Sequence, residues 1–134
     1  MTAILVDSSV LLDVTSEDSA WFDWSSKALA DAFNRSRLVI NPIVFAEVSV
    51  RYSDIGELDA LLSRQSLERE PLPYEAAFLA GKAFVRYRRR GGVRSAPLPD
   101  FFIGAHAAVC GYALLTRDAR DYKRDFPTVE LISP

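Results

Sequence analysis

The sequence predicts an α/β fold, a three-layer α/β/α sandwich with helices covering both faces of a central parallel sheet. Three observations carry that prediction. The chain opens on Ala3-Ile4-Leu5-Val6-Asp7, an apolar run with β-branched residues that reads as a strand buried on both faces. Short apolar runs at Leu38-Val39-Ile40, Ala113-Leu114-Leu115 and Val129-Glu130-Leu131-Ile132 alternate with helical periodicity, the pattern of parallel strands joined by helical crossovers. The chain of 134 residues, 49% hydrophobic and 25% charged, suffices for one core and holds no repeat, low-complexity tract or linker. Residues 1–134 are therefore read as a single domain.

Each element has its own local reason. After the first strand Ser8-Ser9 offers an N-cap, and Val10–Val14 reads as a short helix. Glu17-Asp18-Ser19 begins a second helix, which Trp21, Trp24, Ala28, Ala32 and Phe33 carry amphipathically to Asn34. Asn41-Pro42, a cap followed by a first-turn proline, starts a helix through Glu47 to about Tyr52. Ile55-Gly56 interrupts, and Glu57–Gln65 gives another helix. Leu67–Leu72 is a weak strand or loop, because Pro71 and Pro73 exclude regular helix. Tyr74–Arg90 is a long helix ended by Gly91-Gly92. A loop over 93–99 leads to a helix from Pro99 to Cys110, and Asp118–Asp125 is a short helical turn before the last strand.

Composition excludes several function classes. No apolar run approaches the roughly 20 residues needed to span a bilayer, and no basic segment followed by an apolar one opens the chain, so a cytoplasmic location is expected. Single residues Cys110 and His106 make neither an internal disulfide nor a closed zinc site. The net charge of −2 hides an asymmetry: residues 1–34 hold six acids against Lys27, whereas Arg86, Arg88, Arg89, Arg90 and Arg94 crowd one stretch without an acid.

Parallel strands bring their carboxyl ends to one edge, where open α/β sheets bind ligands. Asp7 ends the first strand, Glu47 lies about one and a half turns into the helix after the second, Asp100 opens its helix, and Asp118 follows the Leu114-Leu115 strand. Two unit charges about 4 Å apart repel by roughly 4 kcal/mol at an effective dielectric near 20. Four such acids together therefore take up protons or hold a cation, and oxygen ligands without His or Cys point to Mg²⁺ or Mn²⁺. Such an ion grips phosphates and lowers the pKa of a bound water, the apparatus of phosphodiester hydrolysis. Plainer readings stand beside this one. Asp100 suits a helix's first turn by its dipole, Glu47 suits a solvated face, and Asp118 suits a cap. Asp121 is a ligand in place of Asp118, an outer acid or a surface charge.

The segments Ile4-Leu5-Val6-Asp7-Ser8-Ser9-Val10, Asn41-Pro42-Ile43-Val44-Phe45-Ala46-Glu47, Leu98-Pro99-Asp100-Phe101-Phe102-Ile103-Gly104-Ala105-His106-Ala107 and Leu114-Leu115-Thr116-Arg117-Asp118 together resemble the PIN-domain family, and within it the VapC toxins. The likeness covers nearly the whole chain in the right order. It implies a Mg²⁺- or Mn²⁺-dependent endoribonuclease with Asp7, Glu47, Asp100 and Asp118 in the four acidic slots. Asp7, Asp100 and Asp118 hold the metal, and Glu47 orients or deprotonates the attacking water or binds a second ion. The fourth slot is open between Asp118 and Asp121. Ser9 and Thr116 match small polar positions beside the acids, with cap and turn roles as the alternative. The resemblance also implies products with a 5′-phosphate and 3′-hydroxyl, a VapB-type antitoxin partner and a homodimer.

The five arginines are candidate RNA-phosphate contacts, with Tyr87 among them as a base-stacking ring; a solvated helix end is the alternative. His106, about 240° round the helix from Asp100, reads as packing or surface rather than catalysis. The Trp21/Trp24/Ala28 stripe is groove, dimer contact or core. Two rival functions complete the reading: a catalytically inactive PIN-fold interaction module, and an aspartyl-phosphate phosphotransferase. The second wants an acid two residues after the strand Asp, where Ser9 stands instead, or a lysine opposite, and none of Lys27, Lys82 and Lys123 follows a strand.

Overall fold

A computed structural model describes residues 2–16, 20–94 and 98–134. Five parallel strands form one sheet: β1 (Ile4–Val6), β2 (Leu38–Ile40), β3 (Leu67–Arg69), β4 (Ala113–Leu115) and β5 (Leu131–Ile132), in spatial order β3-β2-β1-β4-β5. β1 is central. Ile4 faces Leu38 on one side and Ala113 on the other, and all three of its residues are fully buried. Burial of residues pointing both ways requires helices on both faces, so the predicted three-layer α/β/α sandwich is the observed architecture. The chain builds β1, β2 and β3 outward in one direction and then returns to lay β4 and β5 on the other side. The crevice outside β1 and β4 is therefore a topological switch point.

The helices are α1 (Ser8–Val14), α2 (Phe22–Arg35), α3 (Pro42–Ser49), α4 (Ile55–Arg64), α5 (Tyr74–Arg89), α6 (Pro99–Cys110) and α7 (Arg120–Asp125). α3 starts where expected: Asn41 Oδ1 accepts the Val44 N–H at 3.0 Å and Pro42 takes the first turn. It stops at Ser49 rather than Tyr52, because Arg51 and Tyr52 bond three residues back, to Val48 and Ser49, in a tightened turn. α4 begins at Ile55, two residues before the predicted Glu57. Asp54 caps it, accepting the Gly56 N–H at 2.9 Å, and that cap outweighs the low helix propensity of Gly56. The weak segment after Leu67 is a true edge strand, and the prolines end it. α6 closes on Gly111 in the left-handed region, φ 69°. The predicted start of the second helix at Glu17-Asp18-Ser19 and residues 95–97 of the loop lie outside the described residues. Among the described residues no helix is long and apolar enough to cross a membrane.

Candidate active site

Asp7 stands at the N-cap position of α1 with extended backbone (φ −71°, ψ 149°), yet its carboxylate does not cap the helix. It turns into the switch-point crevice. Thr116 Oγ1 and Ser9 Oγ donate to its Oδ2 at 2.7 and 3.0 Å, and the Tyr122 hydroxyl lies 3.3 Å from its Oδ1. Thr116 is held in turn by the Asp118 backbone N–H, which donates to its Oγ1 at 3.0 Å. Ser9 and Thr116 thus hold the Asp7 carboxylate through their hydroxyls.

Glu47 reaches back from α3, and Ser8 Oγ donates to its Oε1 at 2.8 Å. Burial pushes the Glu47 carboxyl up, the Ser8 bond pulls it down, and the charge of Asp7 adds to the rise. Asp100 sits just inside α6, after Pro99, at the solvent-facing mouth of the crevice. Crowding by surrounding protein and then the charge of Asp7 push its carboxyl up to about 6. The Tyr122 hydroxyl, 3.1 Å from its Oδ1, opposes that, while Glu47 and Asp121 reinforce it. Asp7, Glu47 and Asp100 therefore share one electrostatic neighbourhood.

The fourth acid is divided between two residues. Asp121 registers its charge at Asp100 and pairs with Arg124 at 3.0 Å. Asp118 is exposed, and its contribution to the crevice is the backbone N–H on Thr116. A cavity of about 50 Å³ beside Asp100 is lined by Tyr87, Asp121, Tyr122 and Arg124. Larger hollows lie elsewhere, one of about 420 Å³ between Pro42, Phe45, Ile55 and Pro71, so volume does not mark this chemistry.

The donors that meet the three acids are neutral hydroxyls. Flanking guanidiniums are committed to other carboxylates: Arg117 to Asp13 at 2.8 Å, Arg124 to Asp121 and Asp125. Hydroxyls orient a carboxylate without cancelling its charge, so the crevice keeps a concentrated negative field. Among the described residues no three His, Cys, Asp or Glu side chains close around one point as a formed metal site. The donor set nonetheless fits a hard divalent cation. It is oxygen-only, it joins three mutually repelling acids, and it supplies no countercharge of its own.

Other predicted residues divide clearly. Arg86, Arg88, Arg89, Arg90 and Arg94 are all exposed at the end of α5 and beyond. Arg90 pairs with buried Asp125 at 3.1 Å, and Arg88 donates to the Arg94 carbonyl at 2.6 Å, so these two brace the turn. Tyr87 is not a free stacking platform. Its ring stacks on Phe84 (centroids 6.0 Å apart) and meets Phe101 edge-on, and a Cβ on Gly92 would approach it to 2.3 Å. Trp24 and Ala28 pack against the core, while Trp21 is 39% exposed with the Arg117 guanidinium 5.7 Å from its ring.

His106 is fully buried. Because Asn41 Oδ1 is committed to Val44, its Nδ2 donates to His106 Nδ1 at 3.1 Å, and burial lowers the imidazole pKa. It is packing, as read. Sequence reasoning missed Tyr122, 2% exposed, whose hydroxyl stands between Asp7 and Asp100. It also missed Ser8 as the partner of Glu47.

The PIN domain family model matches residues 4–127. No curated protein matches the chain. Among solved structures the chain is similar to the VapBC2 complex of Rickettsia felis bound to a promoter DNA fragment. The TM-score there is 0.73 and identity 18%, covering 99% of each chain. A toxin–antitoxin complex from Klebsiella pneumoniae gives 0.69 and 21%, covering 94% of each. VapC20 of Mycobacterium tuberculosis, a toxin cleaving the sarcin–ricin loop, gives 0.63 and 17%, covering 95% of this chain and 98% of that one.

Proposed function

The chain belongs to the PIN-domain family, and from that premise we propose that it is a VapC-like, Mg²⁺- or Mn²⁺-dependent endoribonuclease toxin of the cytoplasm, restrained by a VapB-type antitoxin. The observation that carries the reading is the crevice itself: Asp7, Glu47 and Asp100 at the β1/β4 switch point, met among the described residues by neutral hydroxyl donors. Asp7 and Asp100, with Asp121 or Asp118 beside them, would hold the ion. When bound, the ion supplies Lewis-acid polarisation of a phosphate and a lowered pKa for water. Glu47 orients the attacking water and takes its proton on Oε2, the oxygen that Ser8 leaves free. Exposed Arg86 and Arg89 hold flanking phosphates of the RNA. None of these roles needs the 2′-hydroxyl or a histidine, in keeping with the burial of His106. The antitoxin partner is proposed from the toxin–antitoxin complexes among the similar structures, and the homodimer from the family resemblance alone.

The test is RNA cleavage by purified protein with Mg²⁺, with Mn²⁺ and in excess chelator, beside Asp7→Asn and Asp100→Asn. Cleavage that needs the ion and is lost in both variants is expected. Cleavage surviving in chelator would overturn the reading.

A further inference from the structure

We propose that Tyr122 is a built-in stand-in for the divalent ion: its phenol holds Asp7 and Asp100 together in the metal-free protein and must give up one of them when an ion enters. The inference rests on the metal-centre reading above. Its basis is geometric. The Tyr122 hydroxyl lies 3.3 Å from Asp7 Oδ1 and 3.1 Å from Asp100 Oδ1, and the ring is 2% exposed, fixed on α7. A phenol has one hydrogen to donate, so it satisfies one oxygen at a time and is shared between two. Asp7 Oδ2 already accepts from Thr116 and Ser9, and Oδ1 is the oxygen turned to the phenol.

The distances identify the conflict. Mg²⁺ holds oxygen at roughly 2.0–2.1 Å. The phenol oxygen stands about 1 Å further than that from each of the same two oxygens. Were Asp7 and Asp100 to hold one ion between them, the phenol could no longer stand between both carboxylates. The phenol then keeps one hydrogen bond. Removing the hydroxyl takes away the donor that, among the described residues, the two acids share, which raises the energy of the metal-free state. It leaves the ion-bound state with one bond fewer on a carboxylate that the ion already satisfies. The unusual consequence is that Tyr122→Phe binds metal more tightly. A residue that merely orients ligands gives the opposite sign, a loss of roughly 10–100-fold.

The experiment is calorimetric titration of MnCl₂ into the full wild-type chain and Tyr122→Phe at pH 8, with thermal melts of each in chelator and in saturating Mn²⁺. Tyr122→Phe is expected to bind Mn²⁺ about tenfold more tightly, to melt lower in chelator, and to gain more from Mn²⁺ than wild type. Binding by the variant alone would support the proposal in stronger form. Unchanged or weaker Mn²⁺ affinity, or the same Mn²⁺-induced gain in melting temperature in both proteins, would overturn it while leaving the metal centre intact. If neither protein binds Mn²⁺, the metal-centre reading fails and this inference falls with it. Should Tyr122→Phe fail to fold in chelator, refolding on Mn²⁺ addition supports the stand-in role, and failure to refold in Mn²⁺ refutes it.

Discussion

Two tyrosines in this molecule donate to carboxylates, and their surroundings differ in one respect. Tyr112 donates to Glu70, 2.8 and 2.9 Å from its two oxygens, and Arg37 adds a guanidinium at 3.1 Å. His106 Nε2 lies 3.6 Å from the same carboxylate. Tyr122 faces two carboxylates, and among the described residues the guanidinium lining the same cavity, Arg124, is paired with Asp121 and Asp125 instead. The first cluster neutralises its acid and links α6 through Asn41 to the start of α3. The second orients its acids and leaves their charge standing. The charge left standing in the second cluster suits the cationic ligand proposed above.

The largest effect that sharpens the contrast is on activity. Asp7→Asn should lower ion-dependent RNA cleavage by more than about 100-fold, beyond the range for losing a mere outer partner of a ligand. Its melting temperature in chelator should not fall, because the change relieves repulsion. An unstable Asp7→Asn protein would show that the crevice acids support the fold. The closed cluster should behave the other way. His106→Ala removes a fully buried side chain that Asn41 partners, and a loss of about 2–4 kcal/mol is expected in denaturant unfolding.

A third test uses pH. The Asp100 carboxyl is raised from 3.8 to about 6, so the folded state holds its proton more tightly than the unfolded chain does. The contribution of this group to stability is therefore present at low pH and is lost as pH rises from about 4 through about 6. Asp100→Asn should flatten the metal-free stability profile across that window, as read from melting temperatures. Wild-type Mn²⁺ affinity should climb over the same range, since protons compete with the ion. A profile that the substitution leaves unchanged would remove Asp100 from the coupled set.

The smallest effects separate arginines that brace from arginines that reach RNA. Arg86→Ala and Arg89→Ala should each reduce the salt slope of RNA binding by about 0.7, the value for one lost phosphate contact on a single strand. Arg90→Ala should chiefly lower the melting temperature, because it leaves buried Asp125 with Arg124 in place of two guanidiniums. Equal slopes for all three would dissolve the distinction.

These residues also mark what a sequence can disclose. The strands and most helix starts were legible because their causes are local: apolar runs for β1, β2 and β4, the Asn41-Pro42 cap for α3, Pro99 for α6. Asp7, Glu47 and Asp100 were legible as candidates because each has a fixed address relative to a strand end or a helix start. Tyr122 was not, since its hydroxyl meets Asp7 across 115 positions of chain and only tertiary packing brings them together. Tyr87 read as a free ring beside arginines until Phe84, Phe101 and Gly92 enclosed it. The choice between Asp118 and Asp121 turns on how one short helical turn faces the crevice, which no local rule states.

The central claim is that Asp7, Glu47 and Asp100 serve one divalent ion. Calorimetric titration of Mn²⁺ into wild type and Asp7→Asn tests it most directly. Saturable binding by wild type, weakened by more than about 100-fold in the variant, is the predicted result; equal affinity in the two proteins would contradict it.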